Sequence, residues 1–356
     1  MPSVSDDQAE RLVEMLVSIP SPTYQELPAS TALVGWMNAH GYRRAFVDEV
    51  GNAVGIRGNL SSSARQVILL GHIDTFGGFP PVRREGRLLY GRGSVDAKGP
   101  LCSFTVAGAR ASLPSDVQLI VVGAVEEECP TSKGARHIAA HHNPCLVVIG
   151  EPSHWERMTL GYKGRLVLEW RYQGGMSHSA GQIDFPAEVA FAAWQAVSAY
   201  AARYNEGRER VFEQLGVTLT AINSGQDGAY GWAQMSIGLR LPPNMNPHAL
   251  EAELRPLLEV EGSTLRAYGH EVAVQADKDS ALTRLFRAAI RAEGGNPSFV
   301  YKTGTSDMNA VAPSWECPMI AYGAGDSRLD HTPHEHLNLD EYLRAIRVLT
   351  HVLERA

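Results

Sequence analysis

Three near-continuous apolar runs, each rich in Val, Ile and Leu, place the strongest constraint on the fold of this chain. They are ARQVILLGHID at 64–74, DVQLIVVGAVEEE at 116–128 and PCLVVIGEPS at 144–153. Such runs are typical of parallel strands that are covered on both faces. Each run ends in histidine or acidic residues, so these side chains are expected at one edge of a sheet.

Two helical patterns connect these strands. GPLCSFTVAGARASL places Pro100 at the first position of a helix, and SKGARHIAAHHN reads as a short helix. The resulting βαβ order predicts an α/β fold with a sheet flanked by helices. Open α/β sheets bind ligands outside the carboxyl ends of their strands, which is where the polar residues fall.

The strand pattern changes after Gly161, where apolar residues alternate with polar ones. The elements read as βαββαβ, the order of a ferredoxin-like domain. We therefore expect an inserted α+β domain at 164–276. It would interrupt a catalytic domain formed by 1–163 and 277–356, which includes the C-terminal helix starting near Asp340.

The polar residues at these positions form a candidate metal-binding set. Mixed imidazole and carboxylate ligands without thiolates suit zinc, cobalt or manganese in a catalytic site. The set exceeds the three protein ligands that one ion needs, and it includes an isolated Asp able to bridge two ions. Any one of these residues alone is more simply explained as a hydrogen-bonded polar group or a helix cap. The candidates are His72 and Asp74 in GHIDT, Asp96 in YGRGSVDAKG, Glu126, Glu127 and Glu128 in GAVEEECP, Glu151 in IGEPS, and His331 in LDHTPHEH.

Composition is that of a globular enzyme. The 356 residues are 44% hydrophobic and 20% charged, and the net charge of −7 argues against nucleic acid or an anionic membrane as the main partner. The beginning of the chain lacks a signal-peptide pattern and no run is long enough to span a membrane, so a cytoplasmic location is expected. A local basic run is equally consistent with a solvated turn or with contact to an acidic ligand: Arg83, Arg84, Arg87 and Arg92.

Six motifs together resemble the co-catalytic zinc deacylase and peptidase family, which includes acetylornithine deacetylase, succinyl-diaminopimelate desuccinylase and the aminoacylases. The motifs are GHIDT, GRGSVDAKG, the glutamate run, GEPS, GGMSHSAG and HTPHE. They occur in the family's order over nearly the whole chain. Within the family, VEEECPTSKGA and KTGTSDMN are most similar to the hydrolases of carrier-protein-dependent lysine biosynthesis.

The resemblance implies a site with two divalent ions, zinc above all, with cobalt able to substitute. His72 would bind one ion, with Asp74 orienting its imidazole, and His331 would bind the other. Asp96 would bridge the ions and precede a cis peptide bond at Asp96–Ala97. Carboxylate ligands, one to each ion, would be Glu127 and Glu151.

The glutamate run and the C-terminal motif each leave alternatives. On a strand, Glu126 and Glu128 would share a face while Glu127 pointed away. The family pattern makes Glu126 the general base and Glu128 a bystander. HTPHE replaces the family's His-Thr-Pro-Asn-Glu, which selects His331 over two other candidates, His334 and His336.

Further roles follow from the resemblance. His178 in GGMSHSAG would stabilise the oxyanion, reaching the site from the partner subunit of a homodimer formed by the inserted domain. Substrate contacts are expected from Arg240 in GLRLPP and from the loop 302–309, in particular from Lys302, Thr305, Ser306 and Asn309. A structural ion pair is an alternative role for Arg240.

The expected function is hydrolysis of the amide that blocks the α-amino group of lysine or ornithine. The acyl group would be the C-terminal glutamate of a small acidic carrier protein. The alternatives are an N-acetyl-lysine or N-acetylornithine deacetylase, a metallo-dipeptidase or carboxypeptidase, and, from a different class, a non-catalytic metal-stabilised binding subunit.

Overall fold

A computed structural model describes residues 4–175 and 185–356. The helices in chain order are α1 (Asp6–Val17), α2 (Leu27–Ala39), α3 (Lys98–Arg110), α4 (Lys133–His141), α5 (Pro186–Asn205), α6 (Pro247–Leu258), α7 (Ala281–Ala292), α8 (Asp307–Val311) and α9 (Leu339–Leu353). The strands are β1 (Arg44–Val47), β2 (Ala53–Gly58), β3 (Arg65–His72), β4 (Arg83–Glu85), β5 (Leu88–Tyr90), β6 (Val117–Ala124), β7 (Leu146–Gly150), β8 (Arg157–Tyr162), β9 (Gly164–Gly175), β10 (Gly216–Asp227), β11 (Tyr230–Leu241), β12 (Ser263–Glu271), β13 (Val274–Gln275), β14 (Ser298–Lys302), β15 (Met319–Ala321) and β16 (His336–Asn338). None of the described helices is both long enough and apolar enough to cross a membrane.

The chain divides into two compact units. The first comprises Met1–Gly161, Ala276–Tyr301 and Ser306–Ala356. The second comprises Tyr162–Gln275 and Lys302–Thr305. The short return segment Lys302–Thr305 was not part of the inserted domain that the sequence pattern delimited at 164–276.

A mixed sheet forms the centre of the first unit. Its strands lie in the order β1, β2, β6, β3, β7, β15, β8, and β14 pairs with β8. The central strands β6, β3, β7 and β15 are parallel, while β1, β2 and β8 run antiparallel to their neighbours. The sheet is therefore mixed, and the predicted α/β fold is confirmed.

Strand register brings the three polar run ends side by side. His72 at the end of β3 is opposite Ala124 at the end of β6. On the other side, Gly71 of β3 is opposite Gly150 of β7. A Cβ atom added to Gly150 would lie 2.9 Å from the Cα atom of Gly71, so this close approach requires glycine. The carboxyl ends of β3, β6 and β7 thus form one edge.

Helix α3 is the most buried helix of this unit, and its first residues differ from prediction. It begins at Lys98, directly after the cis peptide bond Asp96–Ala97, which confirms the predicted cis bond. Pro100 is therefore the third helical residue and not the first. The Lys98 ammonium group donates hydrogen bonds to the carbonyl oxygens of Leu16 and Ile19, which anchors the start of α3 to the end of α1.

A second, small sheet was not predicted. Its three short strands lie in the order β16, β5, β4, and each has only three residues. His336 of β16 is opposite Tyr90 of β5. This pairing ties the C-terminal histidine motif to the segment that precedes Asp96.

The second unit has a four-stranded antiparallel sheet in the order β10, β11, β9, β12. With α5 and α6, this is the predicted ferredoxin-like arrangement. Leu166, Leu168 and Trp170 alternate along β9 and are fully buried, so one face of the sheet forms the core. The Trp170 indole N–H donates a hydrogen bond to the carbonyl oxygen of Leu258, which attaches the end of α6 to the sheet.

Candidate metal centre

Two groups of candidate ligands share Asp96. The first group is His72, Asp96 and Glu151, and its three ligand atoms lie within 4.8 Å of one another. His72 is buried at the end of β3, and its Nε2 atom is 3.2 Å from Asp96 Oδ1. Glu151 directly follows β7. All three residues of the first group were predicted as metal ligands from the sequence, which did not say whether Glu151 would share an ion with His72.

The second group is Asp96, Glu128 and His331, again with ligand atoms within 4.8 Å. His331 Nε2 lies 3.1 Å from Asp96 Oδ2 and 3.1 Å from the Glu128 carboxylate. The two oxygens of Asp96 thus face two different imidazoles. Imidazole and carboxylate donors around a shared Asp fit a pair of divalent ions.

Glu128 was set aside as a bystander from the sequence, yet the structure places its carboxylate beside His331. The strand β6 ends at Ala124, so the two-residue alternation of a strand does not extend into the glutamate run. Glu126 adopts a left-handed backbone with φ of 61°, which redirects the side chains that follow. Glu128 consequently reaches His331.

Glu126 points to other partners. Its carboxylate accepts a 2.6 Å hydrogen bond from the Thr131 hydroxyl and lies 3.4 Å from the Lys133 ammonium group. Glu127, in contrast, has no hydrogen bond to its carboxylate from the residues that the structure describes. Burial raises the pKa of Glu127 well above its ordinary value, while the charge of His72 opposes this shift.

Asp74 contacts both the His72 imidazole and the backbone of the glutamate run. His72 Nδ1 lies 3.0 Å from the Asp74 carbonyl oxygen and 3.5 Å from its carboxylate. The two carboxylate oxygens of Asp74 accept the backbone N–H groups of Glu127 and Glu128 at 3.1 and 3.0 Å. The Thr23 hydroxyl also donates to Asp74, at 2.9 Å. The position of Asp74 beside His72 was predicted, whereas its contacts to the glutamate run were not.

Strong electrostatic coupling links the shared Asp to both imidazoles. Burial opposes the charged imidazole of His72, but hydrogen bonds to Asp74 and Asp96 raise its pKa well above the ordinary value. Hydrogen bonds to Asp96 and Glu128 raise the pKa of His331 to about 10. Burial favours the neutral form of Asp96, yet the two imidazoles lower its pKa. The carboxylates of this site therefore favour a positive charge on both imidazoles.

Two buried acids that the sequence did not single out also border the centre. Glu335 accepts the backbone N–H groups of Val95 and Asp96 at 2.9 and 3.1 Å, and it pairs with Arg92 at 2.6 Å. The Asp307 carboxyl is buried, and burial raises its pKa to about 7, while the charge of His72 opposes the shift. Of these two acids, only Glu335 could have been recognised from the sequence, because it lies within the HTPHE motif.

The remaining C-terminal histidines lie outside both groups. His334 is exposed, and the His336 ring lies beside Tyr90, with ring centroids 4.9 Å apart and the ring planes tilted by 36°. His331 itself is covered by Phe76, whose ring is nearly parallel to the imidazole at a centroid distance of 4.3 Å.

The basic run is engaged in ion pairs within the protein. The pairs are Arg83 with Glu85, Arg84 with Glu10 and Glu14, Arg87 with Glu10 and Asp340, and Arg92 with Glu335. This arrangement favours the structural alternative over contact to an acidic ligand.

The predicted substrate contacts fall in different places. Ser306 and Asn309 are buried and form a reciprocal cap at the start of α8. Within the second unit, Arg240 donates to the Thr305 hydroxyl at 3.2 Å, and the Lys302 ammonium lies 5.9 Å from the centre of the Tyr162 ring. His178 lies outside the described residues.

Imidazole and carboxylate ligands at the carboxyl ends of parallel strands, two sets of them sharing one Asp, define a metal-dependent hydrolase. Residues 68–355 match the model described as Peptidase family M20/M25/M40. The chain belongs to this family, which confirms the resemblance that its motifs predicted.

Two curated relatives are similar over their full lengths. The [LysW]-lysine hydrolase of Deinococcus radiodurans is 47% identical, and the alignment covers 100% of this chain and 99% of the relative. A second relative, from Thermococcus kodakarensis, is named "Putative [LysW]-lysine/[LysW]-ornithine hydrolase". It is 36% identical over 99% of this chain and 93% of its own length.

Solved structures show the same fold at low identity. The aminopeptidase PepT of Bacillus cereus has a TM-score of 0.80 at 15% identity and covers 99% of this chain and 98% of its own. A dinuclear metal-binding peptidase of the M20 family from Bacillus subtilis has a TM-score of 0.73 at 12% identity, with 98% coverage of both chains.

Proposed function

We propose that this protein hydrolyses the amide between the α-amino group of lysine, or ornithine, and the C-terminal glutamate of an amino-group carrier protein. The observation that carries the proposal is the 47% identity, over both full lengths, to a protein named [LysW]-lysine hydrolase. The presence of both ligand groups supports it, because a non-catalytic binding subunit has no need of an assembled hydrolytic site.

The bound cofactor is proposed to be two zinc ions. His72 and Glu151 would hold one ion, His331 and Glu128 would hold the other, and Asp96 would contact both. When bound, such ions polarise the amide carbonyl and lower the pKa of water. This assignment moves the second carboxylate ligand from Glu127, the residue predicted from the sequence, to Glu128.

The general base is proposed to be Glu127 in place of Glu126. A base must be able to reach a water molecule, and Glu126 is already held by Thr131 and Lys133. The carboxylate of Glu127 is not held in this way by the described residues, and its pKa is raised by burial, which favours proton uptake. Glu127 would take a proton from the attacking water and deliver it to the departing amine.

The second unit is proposed to form a homodimer. Its strand β10 pairs with β11 alone among the described strands, and Ile222 on β10 is 44% exposed. An edge strand of this kind can pair with another chain. Arg240 and Lys302 are proposed to contact the substrate, and His178 the oxyanion.

An amine-release assay tests the proposal. Chelated protein is incubated with lysine-loaded carrier, N-acetyl-lysine or N-acetylornithine, with and without added zinc or cobalt. We expect metal-dependent release from the loaded carrier and much less from the acetylated amino acids. Release from the acetyl compounds alone would identify a deacetylase. No metal-dependent release from any of them would contradict the proposal.

A further inference from the structure

A third cluster of potential metal ligands lies in the first unit, away from both ligand groups of the catalytic centre. It consists of Glu49, His137 and His141, whose ligand atoms lie within 4.8 Å of one another. His137 Nε2 is 3.3 Å from the Glu49 carboxylate, and the two imidazole centroids are 4.3 Å apart. Glu49 lies in the turn between β1 and β2.

The two histidines lie four residues apart on α4, so they project from the same face of the helix. This spacing is the one with which helices present two imidazoles to a single zinc ion. His141 is the last residue of α4, where the negative end of the helix dipole favours a cation. The local backbone therefore supports a positive charge at this position.

Hydrogen bonding already fixes the tautomer of His141. Its Nδ1 atom lies 2.8 Å from the carbonyl oxygen of His137, and a carbonyl oxygen can only accept. Nδ1 therefore carries the hydrogen, and Nε2 is left with a lone pair directed away from this bond. A backbone partner on the second ring nitrogen is the usual arrangement of a metal-binding histidine.

A second carboxylate reinforces the negative charge. Asp48 Oδ2 lies 3.8 Å from His137 Nε2, and the Asp48 side chain is held in place by the backbone N–H groups of Val50, Gly51 and Asn52. We propose that Glu49, His137 and His141 form an additional zinc-binding site, with two imidazoles and one carboxylate as ligands and solvent completing the coordination.

This site is joined to the glutamate run through Asn52. The Asn52 amide donates to Asp48 at 2.9 Å and to the Gly134 carbonyl at 3.2 Å, and its oxygen accepts the Val125 N–H at 3.0 Å. Val125 directly precedes Glu126. An ion at this site would therefore hold the β1–β2 turn against α4 and restrain the backbone that leads to the glutamate run.

Metal stoichiometry tests the site. The zinc-loaded enzyme is dialysed against buffered free zinc, and zinc per chain is measured by atomic emission. Wild type should bind one equivalent more than His137→Gln and His141→Gln at the same free zinc. Loss of a residue that merely orients a metal ligand costs about 10–100-fold in affinity, so loss of a ligand should weaken this site by at least about 100-fold. The result is a difference of one equivalent, so it does not depend on the proposed reaction or on the occupancy of the catalytic centre.

Two controls complete the experiment. His351→Gln removes an imidazole that pairs with a carboxylate, Glu293, at 3.4 Å, but that belongs to no three-ligand cluster in the described chain. It should keep the extra equivalent. His270→Gln disrupts the separate cluster of His248, Glu251 and His270. Equal stoichiometry in wild type, His137→Gln and His141→Gln would overturn the proposal, as would loss of the extra ion in His270→Gln alone.

Discussion

The Thr131 hydroxyl donates a 2.6 Å hydrogen bond to the carboxylate of Glu126. This bond turns the first glutamate of the run towards the start of α4, where Lys133 also lies within 3.4 Å of it. The second and third glutamates are positioned instead by Asp74, which accepts both of their backbone N–H groups. The three adjacent carboxylates therefore have separate structural surroundings.

Glu127→Gln and Glu126→Gln should have very different effects. Loss of a general base typically costs 10²–10⁴-fold in rate, so we expect kcat of Glu127→Gln to fall by about that factor while both metal equivalents remain bound. Glu126→Gln keeps an acceptor for Thr131 and should stay within about 10-fold of wild type. Steady-state kinetics with metal analysis on the same samples measures both. A larger kcat loss in Glu126→Gln would restore the role predicted from the sequence.

Glu335→Gln should weaken metal binding and stability together. Removing one partner of a buried ion pair typically costs about 3–5 kcal/mol, and here the Arg92 guanidinium loses the negative charge that lies 2.6 Å from it. Because Glu335 also accepts the Asp96 N–H, we expect metal affinity to fall by about 10–100-fold. Urea unfolding of the metal-free protein and competition with a chelator separate the two effects.

The matched control for Glu335→Gln is Arg328→Gln. Arg328 pairs with Asp326 at 2.6 Å, but its side chain is 87% exposed. Exposed pairs contribute about 0–1 kcal/mol, so this variant should retain the stability and metal affinity of wild type. A comparable loss in both variants would mean that burial of the Arg92–Glu335 pair is not the cause.

Phe76→Leu should selectively affect the ion that His331 is proposed to bind. The Phe76 ring stacks on this imidazole at 4.3 Å, and a leucine cannot maintain the parallel contact. We expect about a 10-fold loss of affinity for one of the two ions, measured by stepwise cobalt titration. Phe79→Leu is the control, since Phe79 is 53% exposed and has no stacking contact with His331. Identical titrations for both variants would contradict the role of Phe76.

Asp74→Asn should have a larger effect than Thr23→Val. Asp74 contacts His72 and accepts N–H groups from Glu127 and Glu128, so we expect a 10–100-fold loss of zinc affinity, about the range for residues that orient a metal ligand. Thr23→Val removes only one donor to Asp74, a change worth about 1 kcal/mol of stability. Zinc competition assays on the two variants measure the difference. An unchanged zinc affinity in Asp74→Asn would mean that Asp74 acts merely by filling space, because asparagine has nearly the same shape.

The ion pair between His154 and Glu341 predicts a pH-dependent stability. The hydrogen bond to Glu341, 3.2 Å long, raises the pKa of His154 above its ordinary value. A raised folded-state pKa stabilises the protein fully below the unfolded value of about 6.5, and this stabilisation is lost as pH rises through the folded pKa. The free energy of unfolding of wild type should therefore exceed that of His154→Asn by more at pH 5.5 than at pH 9.

Asparagine is chosen because His154 has a φ of 65°, which asparagine tolerates better than most residues. Any backbone cost is the same at both pH values and cancels in the comparison. Adding Glu341→Gln to wild type and to His154→Asn should reduce the pH dependence of their difference, and the Asp326 carboxylate, 3.8 Å from His154, accounts for what remains. If the difference in unfolding free energy between wild type and His154→Asn, both with Glu341 intact, stays constant from pH 5.5 to 9, His154 does not contribute through its charge.

The sequence predicted the ends of β3, β6 and β7 because long apolar runs carry a strong signal. It missed β4, β5 and β16, since three-residue strands are too short for a periodic pattern. The position of Glu128 beside His331 was missed because β6 ends at Ala124 and Glu126 has a left-handed backbone. A change of backbone conformation within one residue leaves no trace in the spacing of polar side chains.

The place of β15 in the sheet has a consequence for how the protein is made. This strand, Met319–Ala321, lies between β7 and β8, although some 160 residues separate it from them along the chain. When the first 161 residues have left the ribosome, the sheet therefore still lacks the strand that lies between β7 and β8. Because His331 is synthesised later still, the candidate metal centre can assemble only after that strand has been made.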